Sequence, residues 1–311
     1  MVATIVMNAK NVVQDGLNNK LVYAFPNSIS FPDHEIAIQS VNMYYSWTNI
    51  NGTTLRNNSY AFSWPDVAGV YQVIITMPDG IYEIRDINAY MQFVMIQNGW
   101  YVSTPLGNVF FAEWLVNPTE YAIQLNTYPV WTAEQIALAG GVIGTPSSAS
   151  GIGWGTPDNT CPVISMFSFL DPNQTPLSNF YNIIGYSPTF YSTVGATENQ
   201  SFLSIVAPQV QPNPIIYLSL SNIENKYANP GTIIGSVSPS VAFGELISEV
   251  PPQFAWNKLL PGTYNTLRLA LLGSDFRAID LLDGNMTIVL VIRDRKDISL
   301  GDAIAQLEAQ K

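Results

Sequence analysis

Wherever the chain shows a regular pattern, apolar and polar residues mostly alternate with a period of two, which puts one face of a strand in a core and the other among polar groups. Residues 21–25 give a first strand. Residues 35–47 give a longer one, with Ile36 and Ile38 on one face and Val41, Met43 and Tyr45 on the other, so the spacing predicts a switch of face at a bulge. Tyr60, Phe62 and Trp64 repeat the alternation, and residues 71–77 form a further strand that Asp79-Gly80 ends in a turn. The period then changes. Ile87, Tyr90, Met91, Val94 and Met95 share one face of a helix, and Asn98-Gly99 supplies its stop. Strands return over 108–116 and 120–128, antiparallel neighbours joined at the turn-forming Asn117-Pro118 pair. Four more follow over 215–220, 232–237, 264–272 and 286–292.

Between about 131 and 200 the pattern weakens, and glycines at 140–141 and the run SSASGIGWG over 147–155 read as a long irregular excursion. Such loops are functional or held by a partner. Inside it, Thr175 as N-cap, Pro176 at the first helical position, an apolar face of Leu177, Phe180 and Ile184, and Gly185 as stop predict a short helix. Residues 1–20 lack sustained periodicity and read as an arm ordered by a neighbour. At the other end, Ser299 with Asp302 resembles a capping box, and Leu300, Ile304 and Leu307 would share one face of a terminal helix that needs a surface to dock on.

About ten strands with no βαβ rhythm and long connections predict an all-β fold, an antiparallel jelly-roll β-sandwich: a single jelly roll with an elaborated middle region and two or three short helices. The expected organisation is an N-terminal arm at 1–20, the first part of the roll at 21–130, an insertion with a short helix at 131–204, the second part at 205–296, and a helical arm at 297–311. Two short barrels side by side are the alternative.

Composition narrows the function. Of the 311 residues, 47% are hydrophobic and only 11% charged, against a usual charged share of about 25%. Neutral polar groups cost less to desolvate than charges, so this composition suits a surface covered by neighbouring molecules; a β-sandwich enzyme or lectin is the other reading. The net charge of −11 opposes a phosphate backbone, so no direct nucleic acid binding is expected. Arg293, Arg295 and Lys296 are interleaved with Asp294 and Asp297, as at a solvated strand end or an ion-paired contact with a partner. Cys161 is the single cysteine, which excludes an internal disulfide and predicts a buried free thiol in a reducing compartment. Residues 1–7 lack the flanking positive charge of a signal peptide. No run reaches the roughly 18 apolar residues of a membrane span.

Candidate chemistry is sparse. His34, the only histidine, lies in a polar turn expected to be solvated, and one His with one Cys falls short of a zinc ligand set. Glu245 with Glu249, the group Asp275, Asp280 and Asp283, and the flanking Asp297 and Asp302 could pair as glycosidase acids, and Asp283 with Asn285 could hold calcium. Asp and Asn in turns more simply bond their own backbone. The glycines at 151–155 lack the strand, helix and lysine of a phosphate loop. The tryptophans Trp47, Trp64, Trp100, Trp114, Trp131, Trp154 and Trp256 read as core or subunit packing; a sugar platform would need two or more of them exposed on one rim. No residue is assigned a catalytic, cofactor-binding or metal-binding role, and the chain is not expected to be an enzyme.

Five segments carry a family resemblance: APQVQPNP at 207–214, LSLSNIENKYANP at 218–230, PQFAWNKLLPG at 252–262, DGNMTIVLVIRD at 283–294 and PDGIYEIRDIN at 78–88. They resemble the penton, or minor capsid, proteins of virophages and Polinton-like viruses, firmly over 205–294 and weakly elsewhere; residues 131–200 have no match. The resemblance implies a jelly roll of which five copies close the fivefold vertex of an icosahedral capsid. Expected partners are a homopentamer and neighbouring major capsid and minor capsid proteins, in a virion assembled inside the host cell. Alternatives are a minor capsid or spike component at another shell position, and a carbohydrate-binding β-sandwich.

Overall fold

The computed structural model describes residues 2–69, 71–168, 171, 173, 175–210 and 213–295. The chain divides into two compact units, one of Met1–Thr48 with Asn213–Lys311 and one of Asn49–Pro212. The first opens with β1 (Val2–Asn8), β2 (Lys20–Phe31) and β3 (His34–Tyr44). The second contains β4 (Ser59–Trp64), β5 (Tyr71–Thr76), α1 (Ile84–Asn98), β6 (Val102–Thr104), β7 (Gly107–Val109), β8 (Ala112–Asn117), β9 (Ala122–Thr127), α2 (Ala133–Leu138), β10 (Val142–Ile143), β11 (Val163–Ser165), α3 (Phe180–Ile184), β12 (Phe190–Tyr191) and β13 (Gln200–Leu203). The first unit resumes with β14 (Ile216–Leu220), β15 (Ile223–Glu224), β16 (Ile233–Val237), β17 (Leu246–Glu249), β18 (Asn257–Leu259), β19 (Gly262–Leu272) and β20 (Met286–Asp294).

The first unit is an antiparallel jelly roll. One sheet runs β1-β20-β3, with β17 and β18 sharing the far side of β3. The other runs β2-β19-β14-β16. Strands β1, β2, β3 and β14 therefore alternate between sheets, β14 and β16 stay together apart from the two-residue β15, which pairs with β18 in the first sheet, and β17, β19 and β20 alternate again, which is the double Greek-key winding of this fold. Alternation in sequence makes the sandwich: Leu267, Leu269 and Leu271 of β19 and Ile216, Leu218 and Leu220 of β14 are buried, while the residues between them are not. In β20, Met286, Ile288 and Leu290 alternate until the register shifts between Val289 and Leu290.

Several expectations are corrected here. Residues 1–20 are not an arm, since β1 pairs along its whole length with β20, Val2 opposite Arg293 through Asn8 opposite Thr287. The sequence VATIVMN does not alternate, with Ile5, Val6 and Met7 all apolar though Val6 is exposed, and its partner lies at the far end of the chain. The first roll strand continues past Pro26 to Phe31 because Ala24 faces Thr266 and Ile29 faces Tyr264, leaving the proline in a wide bulge where no ladder N–H is required. The division expected at 131 lies instead at residue 49, between β3 and β14, and residues 59–127 belong to the inserted unit. Strand periodicity alone does not distinguish one sandwich from another. The expected terminal helix at 297–311 falls outside the described residues.

The described residues of the inserted unit form three antiparallel sheets, β12-β11-β4-β5, β13-β9-β8 and β10-β6-β7. Its core joins Ile87, Met91 and Met95 of α1 to the strand aromatics Tyr60, Phe62, Trp64 and Trp114. The predicted helix is α1, stopped by Gly99 at φ 75°, where a Cβ would lie 2.9 Å from Pro146. The helix expected from Thr175 is shorter, beginning at Phe180 after Asn179. α2 was not anticipated, although a reciprocal cap marks it: Gln135 N donates to Thr132 Oγ1 at 3.2 Å and Thr132 N donates to Gln135 Oε1 at 2.8 Å.

Buried amides hold the loops. In the jelly roll, Asn19 Nδ2 donates to Ile279 O at 2.7 Å and Asn18 Nδ2 to Leu281 O at 2.8 Å. Within the inserted unit, Asn49 Nδ2 donates to Tyr82 O and Val210 O, at 2.8 and 2.7 Å, while its Oδ1 accepts from Tyr82 N at 2.9 Å. That one side chain ties the beginning of the insertion to its end. Buried loop backbone left unpaired costs about 1–3 kcal/mol per group, so Asn49→Ala is expected to destabilise the protein by about 3 kcal/mol or more in urea unfolding, with the loss reported by the fluorescence of the inserted unit's tryptophans.

Candidate functional site

The structure disperses the candidate chemistry. His34 begins β3 opposite Asp294, half-buried, its ring 5.2 Å edge-on from Phe31; it is a strand residue and not the solvated turn expected. Glu245 Oε2 accepts from Ala242 N at 3.0 Å, Asp275 Oδ1 from Arg277 N at 3.0 Å, and Asp283 Oδ1 from Asn285 N at 2.7 Å. These carboxylates close their own turns. Among the described residues no three His, Cys, Asp or Glu side chains are grouped to hold a metal; Asp297 and Asp302 lie outside them. The Cys161 thiol is buried and free, burial pushes its pKa up, and it donates to Glu198 O at 3.3 Å. A raised pKa makes it a poor nucleophile.

The glycine run at 151–155 has a structural use. Trp100 Nε1 donates to Gly153 O at 2.8 Å and Trp64 Nε1 to Trp154 O at 3.0 Å. Gly155, at φ 65°, passes so close to Asp66 that a Cβ would overlap the carboxylate. The loop thereby satisfies the two buried indoles, whose rings stack 5.5 Å apart and 3° from parallel. Trp47, Trp64, Trp100 and Trp114 are all at most 3% exposed, and Trp131, Trp154 and Trp256 are half-buried. No pair of open rings forms a sugar platform among the described residues.

Two polar clusters escape sequence reading because their members are distant or alternate across strands. On β8 and β9, Glu113 Oε1 accepts from Tyr128 Oη at 2.5 Å and from Asn126 Nδ2 at 3.1 Å. In the jelly roll, the arginines at the end of β20 and just after it are paired within the chain: Arg293 Nε and Nη2 donate to Glu35 Oε2 at 3.0 and 2.9 Å, with the guanidinium 4.0 Å over the Trp256 ring, and Arg295 reaches Glu35 at 3.3 Å. An arginine over an indole gains cation–π attraction as well as packing.

What remains open is edge and surface. β1 is an outer strand of its sheet, carries no charged residue, and exposes Val2 and Val6. Leu106, Tyr121 and Tyr227 project almost completely. Charge is uneven: residues 49–212 hold two cations, Arg56 and Arg85, against ten carboxylates, a formal −8, while the rest of the chain holds ten against thirteen, −3. No helix among the described residues is long and apolar enough to cross a membrane.

The chain matches no protein-family model and no curated protein. Among solved structures it is similar to a mavirus penton protein, crystallised with selenomethionine, at 7% identity and a TM-score of 0.43, over 94% of this chain and 98% of that one.

Two outcomes follow from the polar clusters. Arg293→Met leaves Glu35 partly buried with a poorer partner, so a loss of about 1–3 kcal/mol is expected in urea unfolding, and a double-mutant cycle with Glu35→Gln should show coupling. Burial, reinforced by the hydrogen bond to Glu113, pushes the Tyr128 phenol up to about 12 from 10.0, and burial raises Tyr60 and Tyr186 as well. Unfolded tyrosines ionise first, so the stabilisation is complete below pH 10 and is lost as pH rises from there through 12. Urea midpoints at pH 9, 10.5 and 11.5 should fall in that order, and less steeply for Tyr128→Phe.

Proposed function

We propose that this chain is a structural virion protein, a penton that closes the fivefold vertices of an icosahedral capsid as a homopentamer and contacts neighbouring major capsid capsomers. The observation that carries the reading is the placement of the family-like segments. Three of the five segments fall on jelly-roll strands: LSLSNIENKYANP spans the end of β14, β15 and the turn after it, PQFAWNKLLPG spans β18, and DGNMTIVLVIRD spans β20, while PDGIYEIRDIN runs into α1 of the inserted unit.

The surface supports the same role. A fivefold ring needs heterologous contacts that close, and such contacts are easier to form across uncharged edges such as β1 than across charged ones. The inserted unit, which lies between β3 and β14 along the chain, carries most of the net negative charge. Among the described residues, turn-capping carboxylates, a thiol of raised pKa and buried indoles offer no convergent site for acid–base, nucleophilic or sugar-binding chemistry. No observation favours the carbohydrate-binding alternative.

Light scattering or native mass spectrometry of the purified protein across a concentration series tests the proposal. The expected result is a discrete species of five 34.2 kDa chains, forming alone or on addition of the major capsid protein. A trimer would move the chain to a spike or another shell position, and a monomer that stays monomeric with the major capsid protein would overturn the reading.

A further inference from the structure

The outer face of the jelly-roll sheet β2-β19-β14-β16 carries a hollow of about 530 Å³. Its cause is one small residue among longer ones. Leu267, Leu269 and Leu271 of β19 are buried, so alternation turns Arg268 and Ala270 to the opposite face. Ala270 lies opposite Lys20 of β2 on one side and Ser219 of β14 on the other, and Arg268 lies opposite Val22. Residues opposite one another across a ladder share a face, so the single methyl of Ala270 is the floor and its neighbours stand around it. Val13, whose N–H donates to Lys20 O at 2.8 Å, adds an apolar wall from the loop before β2.

The charge of this hollow sets it apart within its unit. Arg277, Arg293 and Arg295, the unit's other arginines, are each ion-paired within the chain. The Arg268 guanidinium has no ion-pair or hydrogen-bond partner among the described residues, although the chain carries a net −11. Lys20 is held by Asp15 at 2.9 Å, so that pair cancels and one positive charge is left over. Beside it, Ser219 Oγ donates to Thr232 Oγ1 at 2.8 Å, and Ser221 Oγ accepts from Arg268 N at 3.1 Å. Both bonds use the acceptor side of Thr232 and Ser221, which leaves their hydroxyl protons to donate.

We propose that the hollow binds a small organic monocarboxylate. The planar fork of Arg268 takes the two carboxylate oxygens side by side, the Thr232 and Ser221 hydroxyls donate to the acceptors of the ligand, and its body packs on Ala270, Val13 and Val22. The volume falls within the ~300–1,000 Å³ of small-molecule sites. One surplus positive charge matches one carboxylate. A phosphate dianion would bring a second charge towards Asp15 with no cation left to meet it, and a neutral ligand of the same shape would leave the guanidinium unmatched.

The test uses the full-length protein and amide NMR titrations with benzoate, hexanoate and gluconate, against benzamide and inorganic phosphate at matched ionic strength. At millimolar concentration the carboxylates should shift the signals of residues 219–221 and 268–270 and leave those beside Arg277 and Arg293 unmoved. Benzamide and phosphate should bind at least tenfold more weakly. Arg268→Gln changes an exposed side chain and keeps its main-chain bonds, and should weaken carboxylate binding at least tenfold. Ala270→Leu keeps the arginine but fills the floor, and should weaken benzoate and hexanoate to a similar extent; Arg268→Gln carries the test if that variant does not fold. No shift with any carboxylate would overturn the proposal, as would benzoate binding that survives Arg268→Gln. Phosphate binding as tightly as benzoate would make the hollow a general anion site, and carboxylate binding that needs Arg268 but ignores Ala270→Leu would place the ligand on the arginine alone; either result also overturns it.

Discussion

The jelly roll depends on the pairing of β20 with both β1 and β3. Residues 286–294 lie in the middle of their sheet, with residues 2–8 on one side and 34–43 on the other. A strand from one end of the chain is thus the ladder partner of strands at the opposite end, and neither β1 nor β3 has its inner hydrogen bonds without it. Such non-local pairing carries a loop-closure cost before any contact rewards it. Burial of Ile5 and Met7 against Ile288 and Leu290, together with the ion pair of Arg293 with Glu35, offsets that cost at the point of closure. The last third of the sequence is therefore the framework around which the first forty residues are arranged.

An insertion of more than 160 residues between β3 and β14 is tolerable for the same physical reason. Loop-closure entropy rises only slowly with length, and each unit secures its own end of the connection. In the jelly roll, the Trp47 indole donates to Asn213 O at 3.2 Å, so the departing and returning strands stay adjacent. In the inserted unit, Asn49 holds Val210. With its termini joined and an aromatic core of its own, the insertion can vary in content without altering the roll's ladders.

The scarcity of charge has an internal explanation as well as an external one. Asn18, Asn19 and Asn49 cross-link loops, donating to carbonyls far away in sequence, while Asn51 and Asn57 brace one loop, Asn51 Oδ1 accepting from Thr53 N and Asn57 Oδ1 from Asn51 N. An amide does this with both a donor and an acceptor and without the desolvation penalty of a charge. Part of the amide-rich composition thus pays for irregular backbone inside each unit, and the uncharged strands β1 and β5 account for another part at the open edges.

The sequence by itself determined the all-β class, the positions of most long strands, and α1 with its glycine stop. These features rest on short-range periodicity and on turn chemistry, which are local. Tertiary structure alone decided that residues 2–8 are a ladder strand, that the boundary falls at residue 49 and not 131, that the glycine run satisfies two indoles, and that Tyr128 meets Glu113 or Arg293 meets Trp256. Each of these is a pairing between segments whose separation along the chain leaves no trace in local pattern.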